Sequence, residues 1–323
     1  RDRLRSRGLG DVYKRQVLDM VKCPFKLNFD DLKDLGPTGF LETPMVYDIN
    51  GYDILFAALP YECDETAKPG SRNGSAYFRR DIFGFGFCDQ GLDIDMAHSV
   101  KSGDCGDLII DDSSKAAAEE CIYTAEKAIA STGACSFMIG GDDKTSYGQI
   151  KACYEKYGKM AVIHFGGSVS SALVRVAEED MCDSASSLEV GIRNGMSQYG
   201  GRLEKLGIDV LTASDMDYMK FSDVGSAIKK NVSGKPVFVI FDMNFYDPAF
   251  VTSAARPYAG GFASHEVVEI METGLVGLDI KGISVCGMLD YNDPGETSLN
   301  NLAECAGKLY AVAAYNIASE REL

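Results

Sequence analysis

Residues 162–180 read VIHFGGSVSSALVRVAEED. The stretch begins as an apolar run of strand length and continues as a helix, with only a Gly-Ser turn between. A strand that feeds directly into a helix is half of a βαβ unit, from which parallel sheets are built. The turn is chemically bare. At a strand end, where acid/base or metal-binding side chains are expected, it offers Gly166, Gly167, Ser168 and Ser170.

The same alternation runs outward in both directions. YDILFAALP at 52–60, CSFMIGG at 135–141, MAVIHF at 160–165, SLEVGIR at 187–193, KPVFVIFDM at 235–243 and IKGISVCGM at 280–288 read as strands. Between them lie helical segments at 113–131, 145–158, 171–180, 196–206, 222–232 and 264–274, and a long helix closes the chain over 298–319. This pattern predicts an α/β fold, a mostly parallel sheet with helices on both faces, as one domain over 17–323. No linker, repeat or low-complexity tract divides it. Residues 1–16, RDRLRSRGLGDVYKRQ, stand apart: six are Lys or Arg, two are Asp, and no apolar period runs through them. We read them as a non-native extension, with a basic N-terminal arm as the alternative.

Of the 323 residues, 46% are hydrophobic and 25% charged, the composition of a soluble globular chain. The formal charge is −16. Without the first sixteen residues, 26 basic face 46 acidic ones and the charge is −20, which argues against nucleic acid and other polyanions as partners. No apolar run reaches the length of a membrane span, and no signal peptide is apparent. Ten cysteines without a CxxC pair are distributed like thiols of a reducing compartment, so a cytoplasmic location is expected. Of the three histidines, His98 and His265 carry no assigned role, and His164, inside an apolar strand, reads as a satisfied core residue.

Ligands of such folds sit beyond the carboxyl ends of the strands. Three strand ends stand out: GGDDK at 140–144, GGSVS at 166–170, and FDMNFYDPAF at 241–250. Together with SRNGSAYFRR, SGDCGDL, LEVGIRNG and ARPYAGGF, in this order, they resemble the ureohydrolases, the arginase and agmatinase family, and its agmatinase branch most of all. The resemblance spans nearly the whole chain after residue 16. It implies a three-layer α/β/α sandwich, a trimer or hexamer, and a pair of manganese ions whose bridging hydroxide attacks a guanidinium carbon to release urea.

The motifs depart from the family where its metals bind. The His of G-G-D-H falls on Asp143, the Asp, His and Asp of D-A-H-x-D fall on Gly166, Ser168 and Ser170, and the pair of D-x-D falls on Asp242 and Asn244. Two divalent cations roughly 3.5–4 Å apart need several carboxylates to offset their repulsion, and only Asp143 and Asp242 supply charge. The loop carrying H-G-T-P-F-R-R is missing, and the Glu that faces the guanidinium falls on Cys286.

The expectation is therefore an agmatinase-like protein that has lost the dinuclear site and guanidino hydrolysis, serving as a non-catalytic subunit or small-molecule binder without a cofactor. The alternative is an active hydrolase of a guanidino or amidino compound using a single Mn or Mg ion, or none. The remodelled pocket comprises Asp142, Lys144, Gly166, Gly167, Ser168, Ser170 and Cys286, with Asp143, Asp242 and Asn244 as remnant metal positions. GGSVS reads either as an anion-binding turn or as small residues filling space. Lys144 is the candidate cation to neutralise Asp143 and Asp242. Cys286 is a weak candidate nucleophile, since a thiol needs a base or a cation beside it. The expected partners are further copies of the chain, or an active paralogue, and a small molecule of unknown identity.

Overall fold

The computed structural model describes residues 25–26, 39–81, 88–232 and 234–322. The sixteen residues set aside above lie outside them. The strands are β1 Phe25–Lys26, β2 Ile54–Ala58, β3 Cys88–Asp89, β4 Ile94–Asp95, β5 Ser102–Leu108, β6 Cys135–Ile139, β7 Ala161–Phe165, β8 Leu188–Ile192, β9 Asp209–Thr212, β10 Val237–Asp242 and β11 Ile280–Cys286. Nine of them form one sheet in the order β1-β5-β2-β6-β11-β10-β7-β8-β9, while β3 and β4 form a separate hairpin. The two-residue β1 runs antiparallel to β5; the other eight strands run parallel to their neighbours.

Every residue of β2, β6, β7, β8 and β10 is buried, which is why these strands read as unbroken apolar runs: both faces are covered. The two-residue period divides each strand between two cores. Ile54, Phe56 and Ala58 of β2 belong to the core that the helices Phe221–Val232, Ser264–Leu275 and Thr297–Glu322 cover, and the Phe56 ring meets Tyr310 of the last of these edge-on. Leu55 and Ala57 turn to the other face, against Ile122 and Ile129 of the helix Lys115–Thr132. On that same side Val162 and Ile240 meet Ile150 and Leu173 of the helices Ser146–Tyr157 and Ser171–Glu178. The result is the expected three-layer α/β/α sandwich. Among the described residues no helix is long and apolar enough to cross a membrane.

Five strands were not expected: the two-residue β1, β3 and β4, and the longer β5 and β9. SGDCGDL hides its strand character behind glycines and aspartates, yet Asp104 at its centre is fully buried. Its carboxylate is paid for by Arg79, whose Nη2 lies 3.0 Å from both oxygens, and by the backbone N–H groups of Phe40 at 2.7 Å and Gly106 at 2.7 Å. A buried charge of this kind persists only with such partners, and two of them, Phe40 and Arg79, come from distant parts of the chain.

The strand order also positions the site. β11 and β10 insert between β6 and β7, so the loops leaving β6 and β7 diverge and a crevice opens beyond the carboxyl ends of the sheet.

Candidate functional site

That crevice is a cleft of about 300 Å³ lined by residues from the exits of β6, β7, β10 and β11, among them Asp142, Asp143, Lys144, His164, Ser168, Asp242 and Gly287, with Asp64 and Arg256 beside Asp142 and Lys144. The three strand ends singled out in the sequence do converge here.

Asp142 caps the turn Asp143–Thr145, and its carboxylate also accepts from the backbone of Cys63 at 2.6 Å and Asp64 at 2.8 Å. It fastens the loop after β2 to the loop after β6. Burial pushes its pKa up despite these bonds. Asp143 points the other way, onto the N-terminus of the helix Ser171–Glu178. It accepts from Ser171 N and Ser171 Oγ, each at 2.7 Å, from Ala172 N at 3.4 Å and from the Ser170 hydroxyl. The GGSVS turn and the helix that follows are an anion-binding arrangement, and the anion they hold is a carboxylate of the same chain.

Asp242 accepts from Asn244 N at 2.9 Å and is otherwise enclosed. Burial raises its pKa to about 7, against the opposing pull of that hydrogen bond and of His164. Gly287 passes so close that a Cβ there would stand 2.3 Å from Asp242 Oδ1. The Asn244 carboxamide oxygen is engaged by Gly167 N at 2.6 Å, and the Asn244 carbonyl by Arg193 Nη2 at 2.5 Å. A Cβ on Gly167 would collide with both Arg193 and Asn244, so glycine is needed there for close approach.

Gly166 has a different reason for being bare. A Cβ there would lie 2.3 Å from His164 Cε1 and 2.5 Å from His164 Nε2. The imidazole fills the volume into which a side chain at 166 would project. Residues i and i+2 of a strand share a face, so a large ring at 164 and a side chain at 166 compete for one space. The ring is held from behind: His164 Nδ1 lies 2.5 Å from Glu189 Oε2, and Glu189 Oε1 accepts from Ser170 N at 2.9 Å. Both His164 and Glu189 are buried. Burial alone would push the imidazole down, but the charge and hydrogen bond of Glu189, with Asp143 and Asp242 beyond, outweigh it and hold the ring at about 9. His164 borders the cleft, and its enclosed Nε2 has no hydrogen-bond partner among the described residues.

Two expectations need correction. Lys144 does not neutralise Asp143 or Asp242; its Nζ lies 3.0 Å from Asp64, which also pairs with Arg256. The cation beside the two strand-end aspartates is His164, read from sequence as a core residue. Cys286 is not presented as a nucleophile: it is buried opposite Asp242 in the neighbouring strand, and burial, with Asp242 and Asp143 adding to it, drives its thiol well above the ordinary value. Glu189 was missed altogether. The available signal was a lone carboxylate in the otherwise apolar run LEVGI, where a buried charge demands a partner. That partner sits directly across in the neighbouring strand, His164 opposite Glu189.

Among the described residues no group of three His, Cys, Asp or Glu side chains could hold a metal ion.

The model of the arginase family matches residues 52–306. An agmatinase of Escherichia coli is 26% identical over 294 residues, covering 85% of this chain and 93% of its own length. The solved structure of a hypothetical agmatinase from Burkholderia thailandensis superposes with a TM-score of 0.80 at 24% identity, over 87% of this chain and 91% of the other. Proclavaminate amidino hydrolase from Streptomyces clavuligerus does so with a TM-score of 0.79 at 23% identity, over 86% and 97%. With strand-end motifs, fold and cleft in agreement over most of its length, the chain belongs to the arginase family.

Proposed function

We propose that this protein is an agmatinase-like member of its family that has exchanged dinuclear metal chemistry for a metal-free cleft, and that it acts as a binder of a small molecule or as a non-catalytic subunit. The observation that carries this reading is the His164 imidazole standing where a side chain at 166 would project. The donor set does not fit a pair of divalent cations. Of the six positions that correspond to ligands, only Asp143 and Asp242 are carboxylates, and Asp143 is saturated by the helix N-terminus. A buried cation held by Glu189 adds repulsion to any metal placed beside it.

A second reading, a hydrolase of a guanidino or amidino compound that needs no metal pair, draws support from one feature. A Glu-oriented imidazole bordering the cleft, with a nitrogen not engaged by any described residue, is what a general acid or base starts from. We further propose a cytoplasmic homo-oligomer; the location is in keeping with cysteines spread along the chain without a CxxC pair.

The test is metal analysis of protein dialysed against excess manganese, beside urea release from agmatine and arginine. The proposal expects no stoichiometric manganese and no urea. Two tightly held equivalents per chain with turnover would overturn it, and urea release by chelator-treated protein would establish the second reading.

A further inference from the structure

The helix Met196–Leu206 borders the cleft through its first turn, which contributes Gln198 and Tyr199 to the lining. Its sequence is MSQYGGRLEKL, and the paired glycines at its centre have no steric reason to be there. A Cβ on Gly201 would meet nothing within 4 Å, one on Gly200 would meet only the flexible end of Met196 at 3.3 Å, and neither backbone lies in the left-handed region. In an exposed helix interior glycine is less stable than alanine, because more backbone freedom is lost on ordering. The helix is therefore weakest at its middle.

The segments on either side of that point are held unequally. Downstream, Leu203 is buried and Arg202 pairs with Glu178 of the helix Ser171–Glu178. Upstream, Arg193 N and Asn194 N both donate to Gly167 O at 2.9 Å, and the Arg193 guanidinium donates to the carbonyls of Gly191 and Tyr258. Between these anchors lies one turn, Met196–Tyr199. It starts on Gly195, a left-handed glycine that gives the turn no side-chain cap. Met196, Ser197 and Gln198 are exposed, and the side chains of Ser197, Gln198 and Tyr199 make no hydrogen bond to a described residue. Only Tyr199 is half-buried, against the core cluster that includes Val169 and Leu203.

A segment with few buried contacts and glycine at both ends, set between firm anchors, opens locally while the rest of the protein stays folded. Val169, buried and lining the cleft, lies against Gly195, where an added Cβ would touch it at 3.5 Å. We propose that the turn Met196–Tyr199 is a gate of the cleft, which opens as a unit between Gly195 and the Gly200–Gly201 pair and uncovers Val169 beneath it. The inference holds whether or not the cleft binds metal.

Hydrogen–deuterium exchange of the full chain, read by mass spectrometry, tests the opening. The amides of residues 199–202, whose helical acceptors are the carbonyls of 195–198, should be at least about a hundredfold less protected than those in the buried helix Ser146–Tyr157. Gly200→Ala and Gly201→Ala should each slow their exchange about fivefold, and the pair together about twenty-five-fold. Should Gly200→Ala disturb Met196, Gly201→Ala decides alone. The uncovering is tested by the rate at which a maleimide labels the Val169→Cys thiol, with the exposed Cys88 as internal standard. That rate should fall by the same factor when the two alanines are added, while Cys88 is unaffected. If Val169→Cys fails to fold, the exchange measurement decides by itself. Protection at 199–202 equal to that of Ser146–Tyr157 overturns the proposal, as does exchange that the alanines leave unchanged. So does labelling at 169 that stays constant while exchange slows, since the turn would then open without gating anything.

Discussion

Gly166→Ala adds one methyl group, and the molecule should resist it. The backbone at 166 lies outside the left-handed region reserved to glycine, so any cost is steric. The methyl would stand 2.3 and 2.5 Å from two atoms of the His164 ring, well inside van der Waals contact. The ring has little room to retreat, because it is fully enclosed in β7, between β8 and β10, and tied to Glu189. Overpacking of this kind costs about 1–3 kcal/mol. Prying the ring from Glu189 would add part of the roughly 3–5 kcal/mol of a broken buried pair. We expect a loss of about 3 kcal/mol for Gly166→Ala. His164→Ala alone should cost about 3–5 kcal/mol, since Glu189 is left with only Ser170 N. The double variant should be no worse than His164→Ala, because the methyl then enters the space the ring has vacated, giving a coupling of about 3 kcal/mol. Urea unfolding of the four proteins at one concentration and pH measures it. Additive losses, or a neutral Gly166→Ala in the parent, would show that the imidazole does not own that space.

Lys144→Met should cost no more than about 1 kcal/mol, because its pair with Asp64 is half exposed and Arg256 remains, and it should confer no affinity for manganese; denaturation and metal titration check both. Glu126 is fully buried, and burial, only partly offset by Ser136 and Cys153, raises it from 4.5 to about 7. The native state thus holds this proton more tightly than the unfolded chain. Its contribution is complete below about pH 4.5 and is lost as pH climbs through 7, by about 3 kcal/mol in all, and Glu126→Gln should abolish that part of the pH dependence. Arg79→Met should destabilise by about 3–5 kcal/mol, leaving Asp104 buried without its cation, and Asp104→Asn added to it should recover much of the loss in thermal or chemical denaturation.

The strands that could be read from sequence are those whose two faces are both covered, where nearly every residue is apolar and the run announces itself. β5 could not be read this way, since its central Asp104 is legible only once Arg79 is placed beside it. The site divides along the same line. The strand-end loops were found because glycines and aspartates cluster there. The identity of the cation could not be settled by proximity in the chain: Lys144 neighbours Asp143, yet the cap at Asp142 turns its side chain toward Asp64. His164 looked like core because its surroundings are core, and only the register of β7 against β8 brings Glu189 to its ring.

The shared space of residues 164 and 166 also restricts which sequences can be reached from this one by single steps. An aspartate at 166 would restore one family ligand, but in the presence of His164 it would meet the ring before it could meet a metal. Removing His164 first would strand Glu189, a buried carboxylate with no metal yet to offset it. Either order passes through a less stable protein, so a carboxylate at 166 would need two changes at once, or a third that first removes Glu189. One histidine and one glycine, two positions apart on one strand, form a ratchet.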